Sequence, residues 1–298
     1  MRSLTLDLGG PVHVADFGGT GPTMLLVHGL GGSHVNWAAV GPPLAAHARV
    51  LAPDLAGFGR TPLAGRSAEV EANHGLLDRL VDALADGPVI LVGNSMGGLL
   101  AMLEAASHPD KVAALVLVGP AQPRPAGFPM WVDPRVAAMF AAYAFPGVGE
   151  RFLRWRAERL GAEGLVDQTL GLCCVDRTRL SPDIVAAHVA LARERLERMP
   201  YANAAFLQAA RSMLAFLVRS RLLTAMIRRI AAPALIVHGA HDRLVPIAAS
   251  RALAALRPDW TLAVFDGVGH VPQLEAPDRF VTTLVDWLHD TASVAAAG

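Results

Sequence analysis

Short uninterrupted apolar runs recur along the chain. They are Met24-Leu25-Leu26-Val27, Val50-Leu51-Ala52, Val89-Ile90-Leu91-Val92, Ala114-Leu115-Val116-Leu117-Val118, Leu235-Ile236-Val237 and Leu262-Ala263-Val264. Runs without polar alternation predict strands covered on both faces, as in a mostly parallel sheet. Val12 to Phe17 alternates instead, which predicts an exposed early strand, and Gly18-Gly19-Thr20-Gly21-Pro22 then turns the chain. Helical spacing appears between the runs. Leu77, Leu80, Val81 and Leu84 form one stripe, and Phe280, Leu284, Trp287 and Leu288 form another. Strands alternating with helices predict an α/β protein with a doubly wound sheet. Pro246 suits the first turn of a further helix.

The alternation stops between about Gly119 and Ala232. This stretch has helical patterns but no convincing strand, and one helix opens at Ser181-Pro182-Asp183. It also gathers Trp131, Phe140, Tyr143, Phe145, Phe152 and Trp155. Sheet units on both sides make it an insertion after the sixth strand. The expected domains are an α/β core of residues 1–119 and 232–298 and a helical cap of residues 120–231.

Composition narrows the function. Of 298 residues 53% are hydrophobic and 17% charged, ample for a large core and too apolar for disorder. Lys+Arg and Asp+Glu balance at 26 each, which argues against a nucleic-acid partner. Cys173 and Cys174 are neighbours, so free buried thiols are expected rather than a disulfide. The start lacks the apolar run of a secretory signal. The most lipophilic stretch, Ala205 to Ile227, contains Arg211, Arg219 and Arg221, which argues against a membrane span. A cytoplasmic protein is expected.

The candidate chemistry begins where the run Val89–Val92 enters Gly93-Asn94-Ser95-Met96-Gly97 and a helical segment follows. Strand, G-x-S-x-G and helix in that order describe a nucleophile elbow. The sharp turn strains the serine backbone, and the flanking glycines avoid collisions. No Gly-Lys-Ser/Thr follows, so a phosphate loop does not fit, and the glycines miss the dinucleotide spacing.

A serine hydroxyl needs a base. Of eleven histidines, His270 follows the last strand on the loop Phe265-Asp266-Gly267-Val268-Gly269-His270, at the edge where open α/β sheets carry their sites. Asp242 lies just past Leu235–Val237 and can orient the imidazole, although a helix cap or an ion pair with Arg243 would also suit it. His238 and His241 beside Asp242 lack a third metal ligand at useful spacing, so no metal and no cofactor is expected. After Met24–Val27 comes His28-Gly29-Leu30-Gly31-Gly32-Ser33. Backbone N–H groups of Leu30 and Met96 are the candidate oxyanion donors. His28 reads as a structural group holding that loop.

Together these landmarks resemble the capped α/β-hydrolase family over nearly the whole chain. They are His28-Gly29, Asp54-Leu55-Ala56-Gly57-Phe58-Gly59-Arg60-Thr61, Gly93-Asn94-Ser95-Met96-Gly97-Gly98, His238-Gly239-Ala240-His241-Asp242 and Gly269-His270. The resemblance implies Ser95 as nucleophile, Asp242 as acid, His270 as base, and oxyanion donors at Leu30 and Met96. A serine rather than an aspartate at the nucleophile position implies acyl transfer. The wording around Ser95 is similar to that of meta-cleavage-product hydrolases, but Val271 stands where those enzymes usually carry tryptophan. The reading preferred is therefore a carboxylesterase or lipase-like enzyme acting on a small, largely apolar ester. A carbon–carbon bond hydrolase is the second reading, and a non-catalytic ligand-binding protein on the same scaffold the third.

Overall fold

The apolar runs become the centre of one eight-stranded sheet. The computed structural model describes residues 1–123 and 133–297. Its strands are β1 (Arg2–Asp7), β2 (Pro11–Gly18), β3 (Thr23–Val27), β4 (Arg49–Pro53), β5 (Val89–Asn94), β6 (Val112–Val118), β7 (Ala234–Gly239) and β8 (Thr261–Phe265). Their lateral order is β1-β2-β4-β3-β5-β6-β7-β8. β2 runs antiparallel to both β1 and β4, and every later pairing is parallel.

The helices before the strand break are α1 (Gly41–Leu44), α2 (Val70–Leu84) and α3 (Met96–Ser107). Between β6 and β7 come α4 (Pro134–Ala144), α5 (Val148–Cys173), α6 (Pro182–Arg198), α7 (Ala202–Val218) and α8 (Ser220–Ile227). The chain finishes with α9 (Ile247–Leu256), α10 (Pro272–Glu275) and α11 (Pro277–Ala297).

Strand side chains alternate between the two faces, and both faces are buried. Leu25, Val27, Leu91, Leu115, Leu117 and Ile236 pack with Leu76, Leu77 and Leu80 of α2 and Leu99 and Leu100 of α3. Met24, Leu26, Ile90, Val92, Val116 and Val237 pack with Trp37, Leu44 and the α11 residues Phe280 and Leu284. Runs that looked continuous in sequence are thus two interleaved sets serving two cores.

The early strand departs from expectation. β2 is largely buried, because β1 covers it and takes the sheet edge. The polar positions that suggested exposure are buried and paired: His13 Nδ1 lies 2.9 Å from Asp54 Oδ2, and Arg2 donates to Asp16 at 2.8 Å. At the other edge β8 is only half-buried, although its sequence reads as a core strand. Pro246 is the N-cap of α9 rather than a member of its first turn.

Among the described residues no strand interrupts α4 to α8. Ser181 occupies the N-cap position of α6, without a side-chain capping hydrogen bond, and Pro182 follows at its first position. α5 breaks at Gly161, whose φ of 60° no helix accommodates. The aromatic residues of this stretch divide. Tyr143 is buried with Leu153, Leu207 and Ala210, and Phe140, Phe152 and Phe206 pack around them. Phe145 and Trp155 are 64% and 53% exposed, so they line no interior surface. Trp131 lies outside the described residues. Among the described residues no helix is long and apolar enough to cross a membrane.

Candidate active site

Ser95 stands where β5 hands over to α3, with φ 53° and ψ −116°. That conformation is costly for a residue bearing a β-carbon and persists only when its surroundings enforce it. They do so here. The Ser95 N–H donates to Val118 O at 2.9 Å, and its carbonyl accepts from Gly98 and Ala121. A β-carbon on Gly93 would lie 2.3 Å from Gly97 O, and one on Gly97 would lie 2.2 Å from Val27 O. Neither position can carry a side chain while the turn keeps its shape. Ser95 remains partly accessible amid buried neighbours.

Asp242 and His270 follow β7 and β8, and the fold brings them together. His270 Nδ1 lies 2.6 Å from Asp242 Oδ2, both side chains being almost wholly buried. The other oxygen, Oδ1, accepts from the N–H groups of Leu244 and Val245 at 2.8 and 2.9 Å. Asp242 does not cap α9, whose N-cap is Pro246; one oxygen instead holds the turn before that helix while the other meets the imidazole. Burial opposes ionisation of Asp242. The positive field of His270 and hydrogen bonds from His238 and His270 outweigh it, holding the pKa well below the ordinary carboxylate range.

The serine turn and this pair meet through backbone and amide contacts. Asn94 Nδ2 donates to Val118 O at 3.0 Å and to His270 O at 3.2 Å. Gly119, next to the Val118 that Ser95 bonds, lies against the pair. A β-carbon there would come within 3.2 Å of both Asp242 Oδ2 and His270 Nδ1.

The loop after β3 closes the other side. A β-carbon on Gly29 would lie 3.0 Å from Ser95 Cβ, which brings the backbone before Leu30 against the serine. Met96 opens α3, where an N–H has no carbonyl partner within the helix. Two backbone segments able to supply N–H donors therefore flank Ser95. Leu30 also touches the apolar cluster around Tyr143 and Phe206.

His28 anchors this loop with both ring nitrogens. Nε2 accepts from the Leu55 N–H at 3.0 Å, so the proton is on Nδ1, which donates to Gly29 O at 2.8 Å. A second proton would set N–H against N–H. Burial lowers the His28 pKa to about 4, with Asp54 and Gly29 opposing. Asp54 below it is the hub of the loop after β4. It accepts from the backbone of His34 and Arg60 and meets the rings of His13 and His34.

His238 and His241 take different places. His238 Nδ1 and Nε2 contact Ser250 Oγ at 2.7 Å and Val245 O at 2.9 Å, whereas His241 is exposed, 3.9 Å from Asp266. Cys173 and Cys174 are free thiols, and burial pushes Cys174 up to about 12.

Glu275 escaped sequence reasoning. It is buried, and one oxygen accepts from Val175 and Asp176 at 2.9 and 2.8 Å while the other accepts from Gly269 at 2.7 Å. The His270 N–H in turn donates to Cys173 O at 2.6 Å. A single carboxylate thus ties the His270 loop to the chain leaving α5. The only sequence signal was an acid in the apolar stretch Val271-Pro272-Gln273-Leu274-Glu275. Asn94 was visible only as filler in the turn motif.

A family described as alpha/beta hydrolase fold matches residues 22–277. The chain is 33% identical over 271 residues to a pimeloyl-[acyl-carrier protein] methyl ester esterase of Aromatoleum aromaticum, covering 89% of this chain and 97% of that protein. It is 30% identical over 289 residues to a 2-hydroxymuconate semialdehyde hydrolase of Pseudomonas sp. (strain CF600), covering 93% and 90%. Among solved structures, a thermophilic esterase from Thermogutta terrifontis superposes with a TM-score of 0.72 at 25% identity, covering 97% of this chain and 99% of that one.

Two outcomes are expected. Glu275→Ala strips one buried and two part-buried N–H groups of their acceptor and should cost on the order of 2 kcal/mol, read by urea unfolding. Amide exchange at Gly269, Val175 and Asp176 should accelerate in that variant, and unchanged exchange would mean that the clamp is unimportant. For His28, the folded pKa of about 4 lies below the ordinary 6.5, so the unfolded chain takes up the proton first. The contribution of His28 to stability is complete above pH 6.5 and declines as pH falls towards 4, by on the order of 3 kcal/mol in all. His28→Gln should flatten unfolding free energy across that window.

Proposed function

This chain belongs to the α/β-hydrolase fold family, and we propose that within it the protein is a serine hydrolase working through an acyl-enzyme. The observation that carries the reading is the meeting of the strained Ser95 turn with the buried Asp242–His270 pair, bridged by Asn94. Asp242, held ionised, can only accept, so His270 keeps its proton on Nδ1 and presents a lone pair at Nε2. His270 takes the Ser95 proton as Oγ attacks the carbonyl carbon. N–H groups of Leu30 and Met96 receive the developing oxyanion, each donor being worth about 100- to 1000-fold in rate. The protonated imidazole then returns its proton to the leaving alcohol. Water, deprotonated by His270, resolves the acyl-enzyme in the mirror-image step.

A small ester with an apolar acyl or alkyl group is the substrate class this reading favours. Its support is the apolar cluster of Leu30, Tyr143 and Phe206 beside the oxyanion loop, together with the ester-cleaving relatives. The helices α4 to α8 serve as a cap, with the core formed by the segments before and after them. A carbon–carbon bond hydrolase is the second reading, favoured by the relative named as a semialdehyde hydrolase. Both reactions use the same serine, base and oxyanion site, so substrate shape decides between them.

A fluorophosphonate probe should label wild-type protein at Ser95 and leave Ser95→Ala unlabelled. Labelling elsewhere, or none in folded protein, would remove the nucleophile assignment. In a panel of short acyl esters beside vinylogous diketones, ester turnover should dominate, and His270→Ala should lower kcat by about 10⁴-fold.

A further inference from the structure

At the opposite end of α3 from Ser95, the fully buried carboxylate of Glu104 meets two imidazoles. His108 Nδ1 lies 3.1 Å from Oε1, and His74 Nε2, reaching across from α2, lies 3.0 Å from Oε2. The His74 approach lacks the alignment of a hydrogen bond, which leaves His74 Nε2 and Glu104 Oε2 both buried without a hydrogen-bond partner. Orphaned buried polar atoms are rare in folded proteins and call for a reason. One ligand atom from each of the three residues lies within 4.8 Å of the others. Around a tetrahedral zinc ion with bonds of about 2.0–2.1 Å, neighbouring ligand atoms stand about 3.3–3.4 Å apart. Each imidazole already stands 3.0–3.1 Å from one oxygen of the carboxylate, and side-chain rotation within the 4.8 Å cluster would bring the three ligand atoms to that spacing.

We propose that His74, Glu104 and His108 form a binding site for a divalent transition cation of the Zn²⁺ type. Two imidazole nitrogens and one carboxylate suit such an ion and not the oxygen-seeking Mg²⁺ or Ca²⁺. The cation serves both orphaned atoms at once and offsets the buried carboxylate charge. It also pins α2 to the C-terminal end of the helix that carries Ser95 at its start. The cluster lies near the surface, the His74 and His108 side chains being 20% and 36% exposed although His74 Nε2 and Glu104 Oε2 are themselves buried. The one lysine of the sequence does not fill the place: Lys111 Nζ is held 2.6 Å from both Asp78 and Asp82. The similar trio His13, His34 and Asp54 differs on each count. It is sealed, and its carboxylate oxygens already accept from the backbone of His34 and Arg60 as well as from both rings.

The test is calorimetric titration of chelator-treated full-length protein with Zn²⁺ alone, with Mg²⁺ in parallel. One Zn²⁺ per chain should bind and Mg²⁺ should not, and saturating Zn²⁺ should raise Tm by roughly 5 °C. His74→Gln and His108→Gln should each weaken Zn²⁺ binding at least about tenfold with an unchanged far-ultraviolet spectrum, whereas His47→Gln should leave it unaltered. X-ray absorption on Zn²⁺-loaded wild-type protein should find two imidazoles, and this needs no variant to fold. Absence of stoichiometric binding, equal binding by the two histidine variants, or a zinc shell without two imidazoles would overturn the proposal.

Discussion

A carboxylate taken out of water keeps its charge only if hydrogen bonds and a nearby cationic or dipolar group replace the lost hydration. The contact between Asp242 and His270 satisfies that requirement and organises the end of the sheet where β7 and β8 finish. One oxygen folds the turn through Leu244 and Val245, and the other fixes the imidazole. The same carboxylate that stabilises the turn thereby sets the tautomer on which base catalysis would depend. Stability and chemistry are not separable at this position.

Other buried polar groups extend the pattern. Asp54 gathers the chain after β4 beneath His28, and His28 passes that order to the loop beside Ser95 by accepting from Leu55 and donating to Gly29. Glu275 joins the His270 loop to the segment leaving α5. The helices between β6 and β7 are therefore coupled to the candidate base through backbone contacts and not only through apolar packing. Rearrangement of α5 would be felt at His270 through Cys173 O.

The relatives combine an ester-cleaving enzyme and a semialdehyde hydrolase at nearly equal identity. That mixture is physically reasonable, since both chemistries need a deprotonated hydroxyl and a site for a developing oxyanion. Under the proposed mechanism the two differ in the shape and polarity of the substrate they admit. Between β6 and β7 the aromatic residues divide into a cluster around the buried Tyr143 and an exposed pair, Phe145 and Trp155, so aromatic content alone does not report which side chains face inward.

The sheet and its helices were legible because apolar runs and helical stripes report burial directly, and the turn around Ser95 was legible because only glycine fits its neighbours. Chain order and strand ends likewise pointed to Asp242 and His270. Pairing decided the rest. The exposure of β2 was misread because His13 and Asp16 look solvent-seeking until partners from β1 and the loop after β4 are known. The half-buried β8 looked like core because a strand cannot report whether a neighbour flanks it. Glu275 and Asn94 stayed silent for the same reason: a polar residue in an apolar stretch acquires its meaning from donors and acceptors remote in sequence. Local sequence determines which elements form and where the chain must turn sharply. Only the tertiary structure determines which buried charges find partners, because that depends on distances between segments that sequence spacing does not contain.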